Sequence, residues 1–202
     1  MNVRVVTRYA VVALSAVFAC GAVDVSPVEA ANLRKFDFSG LFTTAPSFDF
    51  TVDDLTVNVT ANAEDGTGQV RRTSGGLGVF DGRGWGREID AAGGIETLFL
   101  DFGEKVSLVS ATFGFVDSND TFNLFVENNP LLVGMDIPDS NVFDFSSFDS
   151  KQISAQTFSF TANLRSDYSL QSITVATVPE PTTVFALMAV GGLGSLALKR
   201  KS

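Results

Sequence analysis

The sequence predicts an all-β fold, an antiparallel β-sandwich of jelly-roll type, on three observations. Phenylalanines recur two residues apart, turn residues punctuate the apolar runs, and the central body carries no sustained 3.6-residue apolar rhythm. The pairs are Phe36 and Phe38, Phe48 and Phe50, Phe113 and Phe115, Phe143 and Phe145, and Phe158 and Phe160. Alternate side chains of a strand point to one face, so each pair sets two rings on the same side of a sheet, as core.

In chain order, residues 1–30 predict a signal peptide. Arg4 and Arg8 form a basic start, Tyr9 to Val23 an apolar stretch, and Val28-Glu29-Ala30 a small-residue site that places the cut between Ala30 and Ala31. Export machinery and a signal peptidase are the partners this segment implies. As a helix, Tyr9 to Val23 would span about 22 Å, short of the roughly 30 Å hydrocarbon core, which argues against an uncleaved membrane helix. Cys20, the one cysteine, leaves with this segment.

Residues 31–177 form the body, the length of one ordinary domain. Further alternation marks Leu55, Val57, Val59 and Ala61; Leu98, Leu100 and Phe102; Phe122, Leu124 and Val126; and Ile173 with Val175. Turn signals separate these runs at Glu64-Asp65-Gly66, Asp117-Ser118-Asn119-Asp120, Asn128-Asn129-Pro130 and Ile137-Pro138-Asp139. Such spacing predicts about eight to ten short strands.

Residues 74–94 are a glycine-rich break between a strand at Gln69 to Thr73 and one starting from Glu96, and they predict a long surface loop. No Gly-Lys-Ser or Gly-Lys-Thr is present, and Asp81, Glu88 and Asp90 would repel a phosphate. Trp85, the single tryptophan, either packs back on the sandwich or stands out as a stacking ring for a glycan.

Composition narrows the function. Of 14 Lys and Arg and 23 Asp and Glu, Arg4, Arg8, Lys199, Arg200, Lys201, Asp24 and Glu29 lie outside residues 31–181, so that stretch keeps 9 against 21, a net charge of −12. So acidic a surface repels phosphate backbones and excludes nucleic acid as a partner, leaving polyvalent cations and neutral polymers such as glycans. With no histidine and no cysteine after the signal, the body cannot build a Ser-His-Asp or Cys-His nucleophile, a zinc site of His and Cys, or a disulfide. Hydrolysis of glycosides by paired carboxylates stays open.

Asp90, Glu96, Asp117, Asn119 and Asp120 are the candidate metal ligands. Calcium takes six to eight oxygens at about 2.3–2.6 Å, which such carboxylates with loop carbonyls can supply. Asp and Asn are equally the ordinary residues of turns, where they bond their own backbone.

Residues 178–202 form the tail. Pro179-Glu180-Pro181 cannot continue a helix, whereas Thr182 to Leu198 is free of charge and spans about 26 Å as a transmembrane helix. Lys199, Arg200 and Lys201 then stop it on the cytoplasmic side, so the body lies outside.

Val178-Pro179-Glu180-Pro181, the apolar span with Gly191 to Leu196, and the basic end together resemble the PEP-CTERM family of bacterial sorting tails. The stretches GLGVFDGRGWGREIDAAGGIETLFLDF and VSATFGFVDSNDTFNLFVE look like the β-rich domains that precede such tails. The resemblance implies recognition of Pro-Glu-Pro by an exosortase-type transpeptidase, membrane anchoring through the helix, then release to the cell surface or medium. It also implies an exopolysaccharide or biofilm context. Three readings of the body follow: a non-catalytic structural or adhesive surface protein, a calcium-assisted carbohydrate-binding module, and a carboxylate-based glycoside hydrolase.

Overall fold

The computed structural model describes residues 32–178, apart from 65, 67 and 83–85. The signal peptide with its cut at Ala30 and Ala31, Trp85, and the sorting tail from Pro179 onward lie outside the described residues. Within them the chain is all β. Its strands are β1 Leu33–Asp37, β2 Thr43–Ala45, β3 Ser47–Val52, β4 Leu55–Asn62, β5 Gln69–Thr73, β6 Gly76–Phe80, β7 Thr97–Gly114, β8 Thr121–Val126, β9 Asn129–Asp136, β10 Val142–Asp144, β11 Ser154–Ala162 and β12 Ser169–Thr177.

Hydrogen bonding links all of these strands, antiparallel, into one open sheet, where the sequence predicts two separate layers. The 18-residue β7 is the cause. Residues 97–101 of β7 pair with β11 on one side and β4 on the other, while residues 106–114 pair with β12 and β10. One arm therefore runs β3, β4, β7, β11, β8, β9, and the other runs from β10 through β7 to β12 and on to β1, β6, β5 and β2. Gly103, at φ +66°, lies between the two halves and allows the change of direction that a Cβ would resist.

The alternation of β7 also changes phase. Leu98, Leu100, Phe102, Val106 and Leu108 face the core, then Ala111 and Phe113 do. The extra residue is Val109, where the pairing to β12 slips between Leu108↔Val175 and Ser110↔Thr174. A bulge of this kind shifts every later side chain to the opposite face. Rings from the two arms then meet: Phe113 lies 4.9 Å from Phe122 of β8 and 6.3 Å from Phe160 of β11, and Phe36 of β1 lies 5.7 Å from Phe102.

Four of the five phenylalanine pairs point into or against this core. Phe113 and Phe115 do not share a face. Phe115 follows the end of β7 at φ +54°, which turns its ring out over Gly75 and leaves it 43% exposed. The predicted loop at 74–94 is also corrected, because it contains β6, which is buried between β5 and β12. Glycine is what conceals this strand in the sequence. A Cβ at Gly78 would run into the carbonyl of Arg87, so only glycine lets the chain at 86–89 lie over β6, held by Val79 N–H to Glu88 O at 3.0 Å.

The turn signal at 128–130 is shorter than expected. Glu127 and Asn128 alone form the two-residue turn, both at positive φ, between the paired residues Val126 and Asn129. Asn129 and Pro130 already belong to β9, an edge strand, where a missing N–H is tolerated.

Candidate functional site

The predicted oxygen cluster divides into two groups. Asp90 and Glu96 meet directly, since Glu96 Oε2 accepts the Asp90 N–H at 2.9 Å and the Glu96 N–H donates to the Asp90 carbonyl at 3.1 Å. These bonds close the loop that leads into β7. The second group is the Asp117 to Asp120 turn. Buried Asp120 accepts the Asp117 N–H at 2.6 Å through Oδ2 and the Asp167 N–H at 3.2 Å through Oδ1. Asn119 donates instead to the Arg165 carbonyl at 3.3 Å. Among the described residues, no three Asp, Glu, His or Cys side chains converge as a metal site requires.

The two groups are neighbours because of one bridge. Ile89 N–H donates to Tyr168 O at 2.6 Å and Tyr168 N–H to Ile89 O at 3.3 Å, tying the strap before Asp90 to the start of β12. Tyr168 itself is fully buried, its hydroxyl donating to the Thr161 carbonyl at 2.9 Å, and burial pushes its phenol well up.

The outcome is a carboxylate-rich end. Burial first, then the charges of Asp90, Asp81 and Glu88, push Glu96 up to about 8, against the opposing bond from the Asp90 N–H. Burial and Asp167 raise Glu88, and burial with Asp120, Asp117 and Asp90 raises Asp167. At neutral pH Glu96 is therefore mostly a neutral acid beside carboxylates. It lines a recess of about 220 Å³ with Glu64, Asp81 and Asp90.

This recess adjoins a wider groove of about 770 Å³, and Glu64 and Gly94 line both. The groove occupies the outer face of the first arm, where strand alternation places the side chains opposite to the core set. One cross-strand row reads Phe99 of β7, Ser159 of β11 and Phe125 of β8; the next reads Thr97, Thr161 and Asn123. Both phenylalanines are half-buried, with their ring-bearing positions lining the groove. The floor of the second row is pre-ordered. Asn123 donates to Thr161 Oγ1 at 2.9 Å and to Asn163 Oδ1 at 3.2 Å, and accepts the Gly134 N–H at 2.8 Å.

Ser159 differs from its neighbours. It is only 6% exposed, lines the groove, and its hydroxyl has no hydrogen-bond partner among the described residues. Of the described residues offered by the sequence as metal ligands, none lines the groove, although Glu64 and Asn128, read there as turn residues, do. Phe99 and Phe125 occupy the outward register of strands whose inward positions are Leu98, Leu100 and Leu124, so the legible signal was an aromatic ring on the wrong parity of an alternating strand.

The fold and tail define the class: an all-β body whose last strand ends at Thr177, two residues before Pro179, joined to a C-terminal sorting segment. Residues 177–201 match the family model of the PEP-CTERM protein-sorting motif, so the chain carries the signal of the PEP-CTERM family. That motif implies recognition by exosortase-type machinery, with export and membrane anchoring followed by processing. No curated protein and no solved structure matches the chain. Among the described residues no helix is long and apolar enough to cross a membrane.

Proposed function

We propose that this chain is an exported, non-catalytic cell-surface or extracellular-matrix protein, its body a structural or adhesive unit in an exopolysaccharide or biofilm setting. The observation that carries the reading is the sorting motif at residues 177–201. Residues 1–30 serve as the cleaved signal peptide, the apolar span from Thr182 as a transient anchor, and Lys199, Arg200 and Lys201 as its cytoplasmic stop. The two arms act as the layers of a jelly-roll-like sandwich, a reading supported by the ring contacts of Phe113 with Phe122 and Phe160.

Mass spectrometry of the mature protein tests it. The expected product begins at Ala31 and lacks the apolar tail, and Glu180→Ala holds the chain, tail intact, in the membrane fraction. Full-length chain in the cytosol with both ends untrimmed overturns the reading.

The meeting of Asp90 and Glu96 beside the groove favours, as a second reading, a calcium-assisted carbohydrate-binding module. Should calcium act there, millimolar calcium raises the melting temperature and EDTA reverses the rise. Equal melts in both dismiss the ion. The hydrolase reading would use the same recess, and loss of reducing-sugar release in Asp90→Asn is its signature.

A further inference from the structure

We propose that the groove on the outer face of the first arm is a binding site for a neutral oligosaccharide, with Phe99 and Phe125 as stacking platforms and Ser159 as the hydroxyl between them. The inference rests on the preceding reading only for placing the body outside the cell.

Three observations point to this ligand class. The first is the spacing of the rings. Phe99 and Phe125 pair with Ser159 from opposite sides, so their strands lie two inter-strand steps apart, about 9.5 Å. That distance is comparable with the length of two pyranose units, so the two rings would pack on the C–H faces of alternate sugars. The second is Ser159, which lines the groove and whose hydroxyl, open to it, has no hydrogen-bond partner among the described residues. An occupant that covers this hydroxyl must offer it a hydrogen bond, as a ligand hydroxyl does, or the complex loses the bond that water supplied.

The third is charge. Among the described residues no Lys or Arg lines the groove, and Glu64 at its border is the one ionisable side chain there. An anionic polymer would find no counter-charge there and would meet the carboxylates of the adjoining recess. The rim is apolar, with Ile95 and Leu164 largely exposed, whereas the floor is of hydroxyls and amides. A sugar ring has this same division between C–H faces and hydroxyl edges. A purely aliphatic chain would cover the Ser159 hydroxyl with nothing to bond it.

The test is calorimetric titration of the full chain, recovered folded from an exosortase-bearing host. The probes are β-1,4-linked glucose and mannose hexaoses, a hexagalacturonate as charge control and an apolar decapeptide. At least one neutral hexaose should bind, and the hexagalacturonate should not. Phe99→Ala and Phe125→Ala should each weaken that binding by about tenfold, the expected scale for one lost stacking contact. Phe125→Tyr should retain it, and an unchanged melting temperature shows that each variant is folded. Failure of both neutral hexaoses to bind, indifference of their binding to both alanine variants, or preference for the peptide or the uronate overturns the assignment. Localisation of the same variants separates the two readings: normal sorting without sugar binding sinks the groove alone, whereas untrimmed cytosolic chain sinks export and leaves the titration to judge the groove.

Discussion

Phe113→Ala is expected to destabilise the body by about 3–5 kcal/mol, the range for emptying a fully buried aromatic site. Phe113 is 1% exposed and packs against three rings, Phe122 at 4.9 Å, Tyr168 at 5.2 Å and Phe160 at 6.3 Å. These partners lie on β8, just ahead of β12 and on β11, so the loss would fall on the contact between the two arms. For a domain of this length the shift in Tm is about 6–20 °C. The control is Phe115→Ala, two residues on, with its ring turned out over Gly75. It is expected to cost about 1 kcal/mol or less, since solvent already reaches that ring. Thermal melts of the two variants side by side decide the matter, and equal losses would refute the change of face at Val109 and Phe115.

The second large effect concerns pH. Glu96 titrates near 8 when folded and in the ordinary carboxylate range when unfolded, so between those values the folded state holds the extra proton. Stability contributed by the neutral acid is therefore present at pH 5, falls as pH rises toward 8, and is lost above it. Because the site is partly screened, the loss is about 2–3 kcal/mol. Glu96→Gln removes the titration while its side-chain oxygen still accepts the Asp90 N–H. Near pH 5 the variant should match the parent, and at pH 9 it should exceed it by that amount, about 5–10 °C in Tm. A shallower slope remains in the variant, since Glu88 and Asp167 are raised too. Parallel melting curves from pH 5 to 9 would show that Glu96 ionises normally in the fold.

The β character was legible because period-two alternation is a local property of the chain. Leu55, Val57 and Val59, or Phe158 and Phe160, reach the core wherever their strand is placed, and all are buried. The hidden strand β6 was not legible, since Gly76 and Gly78 read as loop until the strap at 86–89 is known to lie over them. Nor was the groove, which requires β7, β11 and β8 to be adjacent in that order. Phe99, Ser159 and Phe125 are distant in sequence and form a row only through cross-strand register.

The sequence by itself determined the tail motif, the acidic balance, the absence of histidine and the strand-forming body, because each is a matter of composition or short-range order. Tertiary structure alone decided that the strands join as one sheet through β7, that Asp90 and Glu96 meet while the Asp117 to Asp120 turn bonds its own neighbourhood, and that Ser159 sits between two rings. The physical reason is range. Backbone periodicity acts over a few residues, whereas burial, a raised carboxyl and a shared groove are set by which distant strands exchange hydrogen bonds.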